Sequence, residues 1–139
     1  MVEQIILKND IAEVSRIEDF LLHVCHGYNL SERNFKSLNL AVEEWVANVI
    51  SYAYPEGTTP EGVELTADVN NGVLTLVIRD HGTAFDPTQQ DEINIDAKLE
   101  ERRIGGLGIH LVRTIMDTMA YERTADGYNV LTLTKKIAN

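Results

Sequence analysis

The turn sequence Asn70-Asn71-Gly72 constrains the fold of this chain more than any other feature. Apolar and polar residues alternate over 63–69 before it, and a strongly apolar segment, 73–78, follows it. An Asn-Gly pair between two such segments is a strong signal for a β-hairpin, because the central residues of its tight turn adopt positive φ angles. We therefore expect two adjacent antiparallel strands here.

Helical periodicity precedes this hairpin and returns after it. Asp10 caps a first helix whose apolar residues recur at spacings of three and four, and Ser31 caps a longer helix that ends before Pro55. A third helix is predicted from the glycines at 105–108. Its apolar residues are Leu107, Leu111, Ile115 and Met119. Further strands are predicted at 3–8, 120–124 and 129–137, the last two joined at Asp126-Gly127.

The resulting order, βααββ–loop–αββ, predicts an α+β fold. We expect a two-layer α/β sandwich with a mixed, mainly antiparallel sheet of about five strands, covered on one face by three helices. The strands do not alternate strictly with helices, unlike those of a doubly wound fold. At 139 residues the chain has the length of a single domain, 1–139.

Charge and composition argue against several functions. The 22 Asp+Glu and 12 Lys+Arg residues give a formal net charge of −10, whereas a nucleic-acid-binding surface needs clustered Lys and Arg. No apolar run approaches the ~20 residues of a membrane span, and the N-terminus lacks signal-peptide features. With one cysteine, Cys25, the sequence predicts a cytoplasmic protein without a membrane or direct nucleic-acid partner. A polyphosphate ligand would need a cation or backbone donors to bind so acidic a chain.

The second helix provides the first candidate site. At ~100° per residue, Glu44 and Asn48 are only ~40° apart around the helix axis, whereas Glu43 and Asn48 are ~140° apart. A carboxylate and an amide oxygen on one helical edge suit a general base and a ligand for a hard cation. The structural alternative is an ordinary solvated helix edge.

The second candidate site follows the predicted strand 73–78. Asp80 at a strand end can accept a hydrogen bond from an exocyclic amine such as that of adenine, and Gly82 lets a flat ligand approach the backbone. The structural alternative is a common Asp-x-Gly turn.

The third candidate site is the start of the third helix, where Gly105, Gly106 and Gly108 lie. Glycines at a helix N-terminus expose backbone N–H groups, and the helix dipole adds about half a positive charge. This geometry suits a phosphate chain, although the motif is neither the Rossmann nor the Walker glycine pattern.

In their order and spacing, these motifs resemble the GHKL ATP-binding superfamily, which includes gyrase and histidine-kinase ATPase domains. The helix with Glu44 and Asn48 is similar to its N box, Asp80-x-Gly82 with Phe85 to its G1 box, and Gly105-x-x-Gly108 to its G2 box. The resemblance covers residues from about 5 to 137 and implies the Bergerat ATP-binding fold. The short chain, the segment DHGTAFDP and the ending GGLGI…NxLxLxK resemble the bacterial anti-sigma-factor serine/threonine protein kinases.

The resemblance also implies a role for each matched residue. Glu44 would be the general base, Asn48 would hold Mg²⁺ against the ATP phosphates, and Asp80 would accept the adenine amine. The remaining implied contacts are Gly82 and Phe85 near the base, Gly105, Gly106 and Gly108 at the phosphates, and an ATP lid over about 86–104. In that lid Arg103, or its neighbour Arg102, is a candidate γ-phosphate contact, with a surface ion pair to Glu100 or Glu101 as the alternative.

The implied function is an ATP- and Mg²⁺-dependent kinase that sequesters a sigma factor and phosphorylates a serine of a small anti-anti-sigma (STAS-type) protein. A homodimer is expected on the resemblance alone. Three alternatives stay open: a nucleotide-gated protein-binding module without turnover, the same kinase acting on a different output partner, and an interaction domain that binds no nucleotide.

Overall fold

The computed structural model describes residues 2–8, 10–26, 28, 30–50, 61–84 and 106–137. The helices are a short 3₁₀-helix at Ile11–Ser15, α1 (Arg16–Val24), α2 (Glu32–Asn48) and α3 (Gly106–Ile115). The strands are β1 (Val2–Lys8), β2 (Glu61–Asn70), β3 (Val73–Asp80), β4 (Thr118–Arg123) and β5 (Asn129–Lys136). Within the described residues, no helix is both long and apolar enough to cross a membrane.

The five strands form one sheet in the order β1-β2-β3-β5-β4, and all four pairings between them are antiparallel. The predicted hairpin joins β2 to β3, with Asn71 at φ 55° and Gly72 at φ 76°. Two successive positive φ angles are what a tight turn between twisted strands requires. The local turn chemistry therefore sets the register between β2 and β3.

One face of the sheet carries the core. Because side chains alternate along a strand, the register aligns one residue from each strand into rows across this face. One such row, from β1 to β4, is Ile5, Leu65, Ile78, Leu131 and Tyr121. The largest fully buried side chains of the sheet are Leu7, Leu65, Leu74, Leu76, Ile78 and Leu133, and they pack against Ile17, Leu21 and Leu38 of the helices.

Both predicted caps begin helical segments as expected. Ser31 accepts a hydrogen bond from the Asn34 N–H at 3.1 Å and starts α2, and Asp10 accepts one from the Ala12 N–H at 3.0 Å. The segment after Asp10 differs from the prediction of one helix, because its first five residues form the 3₁₀-helix before α1 begins. Apolar residues of the α2 segment recur at helical spacing and face the core, with Leu38, Val42, Trp45 and Val49 buried and Phe35 partly buried.

The prediction for the third helix was wrong at its end. Helix α3 ends at Ile115, and Met119 lies in β4 instead. Asp117 makes the change of direction, since its N–H donates to the Thr134 carbonyl at 2.8 Å and its carboxylate accepts from the Lys136 N–H at 2.6 Å. In α3 the side chains of Ile109 and Val112 are buried, as is that of Met116 directly after the helix. Leu111 and Ile115 are only partly buried.

Candidate functional site

The edge of α2 with Glu44 and Asn48 lies at the same end of the sheet as Asp80. Helix α1 starts beside the end of β1, where Arg16 Nη1 donates to the Ile6 carbonyl at 3.1 Å, and its His23 lies 3.5 Å from Glu3 near the start of β1. The charge of Glu18, in the first turn of α1, raises the pKa of Glu43 in the second half of α2, which places these parts of the two helices near each other. Helix α2 therefore runs back along α1 towards the end of β1.

That end of β1 is also the end of the sheet where β3 stops. Leu7 pairs with Val63, and Val63 pairs with Asp80. The C-terminal turns of α2 and the carboxyl end of β3 thus meet at one end of the sandwich. Beyond Asn48 the chain continues through residue 50 as a wider π-helical turn, an irregularity that is frequent at functional sites.

Helix α3 ends at the opposite end of the sheet. Lys135 Nζ donates to the Ile115 carbonyl at 3.0 Å, and Lys135 pairs with Leu74 near the start of β3. Gly106 and Gly108 form the first turn of the helix, about 13 Å from this C-terminus at 1.5 Å per residue. The N-terminus of α3, with Gly106 and Gly108, is therefore the end of the helix that lies farther from the start of β3.

Glu43 and Glu44 lie on different flanks of α2, as their helical phase predicts. The carboxylate of Glu43 accepts a hydrogen bond from Asn39 Nδ2 on the α1 side. Burial raises the pKa of Glu43, the hydrogen bond from Asn39 lowers it, and the like charges of Glu18 and Glu44 raise it further. Glu44 shares the other, half-buried flank with Asn48. Glu43 is thus bonded within its own helix, to Asn39 one turn earlier.

Asp80 and Asn129 are the only buried polar or charged side chains among the described residues. They are direct cross-strand partners of β3 and β5, on the face that carries the core. Asp80 Oδ1 accepts two hydrogen bonds, from the Gly82 N–H at 3.0 Å and from Asn129 Nδ2 at 2.9 Å. Burial raises the pKa of Asp80, whereas both hydrogen bonds and the charges of Arg123 and His81 lower it. Because Oδ1 already accepts two hydrogen bonds, this buried carboxylate suits a polar ligand that donates to its other oxygen, Oδ2.

The hairpin of β4 and β5 holds the turn after Asp80 by two further bonds. Asn129 Nδ2 also donates to the Thr83 carbonyl at 2.9 Å, and Arg123 Nη1 donates to the Gly82 carbonyl at 2.8 Å. We call residues 80–83 with these partners the braced turn. Its backbone carbonyls are fixed by side chains that lie more than forty positions away in sequence.

An aromatic stack covers the braced turn on the outer face of the sheet. The rings of His81 and Tyr128 stack with centroids 4.5 Å apart and an interplanar angle of 12°, and the Arg79 guanidinium lies 4.4 Å from the Tyr128 centroid. Gly127, at φ 92°, leaves room for this stack, because a Cβ there would lie 3.0 Å from His81 Nε2. The stack contacts the turn from the outer face of the sheet, and the hydrogen bonds of Asn129 hold it from the core face.

The donor chemistry fits Mg²⁺ bound together with a polyphosphate. Mg²⁺ prefers oxygen ligands and is usually held by one or two protein oxygens plus substrate phosphates and waters. The side-chain oxygen of Asn48, on the half-buried edge with Glu44, belongs to the class of oxygen donors that Mg²⁺ accepts. In the part of the chain that the structure describes, no group of three or more His, Cys, Asp or Glu residues is arranged for a metal.

The structure brings together some predicted site residues and does not cover others. Glu44, Asn48, Asp80 and Gly82 lie at one end of the sandwich, and Gly106 and Gly108 begin α3. Phe85, Arg103, Gly105 and the predicted lid at 86–104 lie outside the described residues. Sequence reasoning gave no role to Asn129 or Arg123, although Asn129 begins the quoted ending NxLxLxK and the two residues flank the predicted turn at Asp126-Gly127.

Comparison with protein families gives a match over most of the chain. Residues 7–135 match the model of the family described as histidine kinase-like ATPase domain. The matched range includes α2, the braced turn and the start of α3.

Curated relatives are similar over most of this chain. The serine/threonine-protein kinase BtrW of Bordetella bronchiseptica is 34% identical over 119 residues, which cover 86% of this chain and 82% of BtrW. The serine-protein kinase RsbW of Halalkalibacterium halodurans is 29% identical over 113 residues, covering 78% of this chain and 65% of that protein.

Solved structures share the fold at low sequence identity. The crystal structure of the SiaB–SiaC complex from Pseudomonas aeruginosa contains a chain that superposes with a TM-score of 0.69 at 14% identity, over 95% of this chain and 88% of that one. The RsbU and RsbW domains of Rv1364c from Mycobacterium tuberculosis give a TM-score of 0.68 at 14% identity, over 100% of this chain and 33% of that one.

Proposed function

Because this chain belongs to the histidine kinase-like ATPase domain family, and within it to the protein serine kinases, we propose that it uses ATP to phosphorylate a serine of a small antagonist protein. The observation that carries this proposal is the shared location of two groups. The edge with Glu44 and Asn48 and the braced turn with Asp80 lie at one end of the sandwich. A purine at the turn would therefore leave its triphosphate directed towards the helices.

We assign base recognition to the braced turn. The carboxylate of Asp80 would accept a hydrogen bond from the exocyclic amine of adenine, with Gly82 and Phe85 beside the ring. Burial of Asp80 supports this role, since a hydrogen bond inside a dry site discriminates strongly between ligands that can and cannot make it. The phosphates would lie against the backbone N–H groups of Gly105, Gly106 and Gly108, where the dipole of α3 favours negative charge.

We assign the chemical step to the edge of α2. Glu44 would accept the proton of the partner's serine hydroxyl as its oxygen attacks the γ-phosphorus, and the bond to the bridging oxygen would break to release ADP. Asn48 would hold a Mg²⁺ ion, which when bound neutralises charge on the phosphates. Arg103 is the proposed lid contact to the γ-phosphate. Phosphoryl transfer mainly requires positioning and charge neutralisation, so this set of groups is sufficient.

The proposed partners are an anti-anti-sigma protein of the STAS type as phosphoacceptor and a sigma factor as the sequestered output. Support comes from the relatives named serine-protein kinase RsbW, and from the solved complex of the structurally similar SiaB with SiaC. A homodimer and a cytoplasmic location belong to the same proposal. The single cysteine, Cys25, is a buried free thiol, which suits a reducing compartment.

A capture experiment with bound nucleotide tests this proposal. The tagged chain is used to capture proteins from its native cell in the presence of Mg·ATP and, separately, of Mg·ADP. We expect a small protein and a sigma factor to exchange between the two conditions. The captured small protein should then incorporate ³²P from γ-labelled ATP on serine.

Two other outcomes would identify the alternatives. A nucleotide-gated module without turnover would bind ATP and exchange partners but transfer no phosphate. An interaction domain without a nucleotide would show no thermal shift with Mg·ATP, whereas a ligand at 100 times its Kd adds about 2.7 kcal/mol to the free energy of unfolding. Capture of a different output protein in place of a sigma factor would support the same kinase activity with another output partner.

A further inference from the structure

Asn129 is a buried side chain whose Nδ2 group points at Asp80 and Thr83 of the braced turn. Its Nδ2 donates to Asp80 Oδ1 and to the Thr83 carbonyl, both at 2.9 Å, and its Oδ1 accepts from the Tyr121 hydroxyl. A carboxamide has two N–H donors and one carbonyl oxygen. Both donors and the oxygen therefore have partners within the described residues.

These partners allow only one orientation of the Asn129 amide. A flipped amide would place its oxygen against the Asp80 carboxylate and the Thr83 carbonyl, three acceptors with no proton among them. The Tyr121 hydroxyl supplies the proton for Oδ1 from the opposite side. The chain of hydrogen bonds from Tyr121 through Asn129 to Asp80 thus has a fixed direction.

This direction determines which oxygen of Asp80 is offered to a ligand. Within the described residues, the hydrogen bonds to the Asp80 carboxylate both end on Oδ1, from Gly82 and Asn129. A carboxylate held in this way cannot rotate without losing two hydrogen bonds in a buried site. The remaining oxygen, Oδ2, is therefore held as a fixed acceptor.

We propose that Asn129 is a positioning residue that fixes Asp80 Oδ2 as the acceptor for the 6-amino group of a purine nucleotide, and thereby sets the preference for 6-amino over 6-oxo purines. This inference rests on the proposed function, which places a nucleotide at the braced turn. Asn129 acts through Asp80 and Thr83 and does not itself contact the base. Its chemistry predicts selectivity, because a 6-oxo purine would bring an acceptor against Oδ2 and leave both unpaired.

The ratio of the affinities for ATP and inosine triphosphate tests this inference. The two nucleotides differ only at the 6-substituent and in the proton on the adjacent N1, so a loss of fold would weaken both together. We expect the unmodified chain to bind ATP about 100-fold or more tightly than inosine triphosphate in titration calorimetry with Mg²⁺. In Asn129→Leu the ratio should fall to about tenfold or less, chiefly through weaker ATP binding.

A second variant keeps the test decisive if Asn129→Leu does not fold. Tyr121→Phe removes only the hydroxyl that holds Asn129 Oδ1, and should lower the ratio about threefold to tenfold. The matched control is Tyr28→Phe, an exposed tyrosine in the connection between α1 and α2, which should leave the ratio unchanged.

Each remaining outcome overturns a different statement. If the folded variants lose affinity for both nucleotides equally, or keep the full ratio, Asn129 only supports the fold and the inference is wrong. If the unmodified chain binds neither nucleotide, the proposed nucleotide site is wrong, and the inference fails with it before any variant is compared.

Discussion

The braced turn and the edge of α2 are built in opposite ways. In the braced turn, Asp80 is buried and its Oδ1 has two donors, while Asn129 and Arg123 hold the backbone carbonyls. On the edge of α2, Glu44 and Asn48 are half-buried, and within the described residues no hydrogen bond to either side chain is present. In the braced turn only Asp80 Oδ2 is left for a ligand, whereas on the edge of α2 both polar side chains are without such bonds among the described residues.

Under the proposed function, this difference corresponds to a division of work between recognition of the base and the chemical step. A recognition site benefits from groups that are already oriented, because binding then costs little ordering. A general base and a metal ligand instead need lone pairs that the protein has not already used. If the proposed function is right, substitutions in the two regions should separate binding from turnover.

The largest expected effect belongs to Glu44. Glu44→Ala should lower the rate of phosphoryl transfer by about 10²- to 10⁴-fold, because a general base typically contributes that much. ATP affinity should change little, since the residue has no proposed contact with the nucleotide. The measurement is ³²P transfer to the captured partner in a single turnover, with Kd for ATP determined separately.

The neighbouring carboxylate supplies the control for this prediction. Glu43→Gln retains a partner for Asn39 on the α1 side, and the transfer rate should stay within a few-fold of the unmodified rate. A rate that falls with Glu43→Gln and not with Glu44→Ala would reverse the assignment of the two residues.

The next largest effect is on binding, at Asp80. Asp80→Asn replaces the acceptor Oδ2 with an N–H donor that would face the donor amine of adenine. We expect ATP to bind about 10- to 100-fold more weakly, since an unpaired buried donor costs about 1–3 kcal/mol. Calorimetric titration with Mg·ATP measures this, and equal affinities for both proteins would remove Asp80 from the proposed site.

A smaller effect should follow from the glycines of the two hairpins, which lie at opposite ends of the sheet. Gly127→Ala and Gly72→Ala both place a side chain at a positive φ angle, 92° and 76°, and each should lower the free energy of unfolding by about 1–2 kcal/mol. Only Gly127→Ala also brings a Cβ to 3.0 Å from His81 Nε2.

This pair tests whether the outer stack supports the braced turn. Urea unfolding should show similar losses of stability for both variants, while ATP affinity should fall only for Gly127→Ala. Equal affinities would mean that the stack of His81 and Tyr128 does not influence the site.

Features set by neighbouring residues could be predicted from the sequence. The turn at Asn71-Gly72 follows from the φ angles that these two residues tolerate, and Ser31 starts α2 because its hydroxyl satisfies a backbone donor. The different flanks of Glu43 and Glu44 follow from helical phase alone. In each case the determining contact lies within a few residues.

Features that depend on distant pairing could not be predicted. Asn129 lies beside Asp80 only because β5 pairs with β3 in one register, and the motif NxLxLxK that it begins does not reveal this contact. The sequence predicts Met119 in α3 because the spacing of four from Leu111 to Ile115 continues to it, so the periodicity does not mark the end of the helix. The bonds from Asp117 to β5 end the helix, and they too are long-range.

The smallest expected effect is that of Asp80→Asn on the free energy of unfolding. This substitution should raise stability at neutral pH although it weakens ATP binding. Burial raises the pKa of Asp80 above its ordinary value of 3.8, so the folded state takes up this proton more readily than the unfolded state. The free energy of unfolding therefore falls as pH rises from 3.8 through the raised pKa, and the loss is complete above it. Asp80→Asn has no such charge, so at neutral pH it should be slightly more stable than the unmodified chain while binding ATP more weakly. Urea unfolding of both proteins at neutral pH and near pH 3.8 should show this advantage disappearing in acid, and an advantage independent of pH would mean that burial of the Asp80 charge is not its cause.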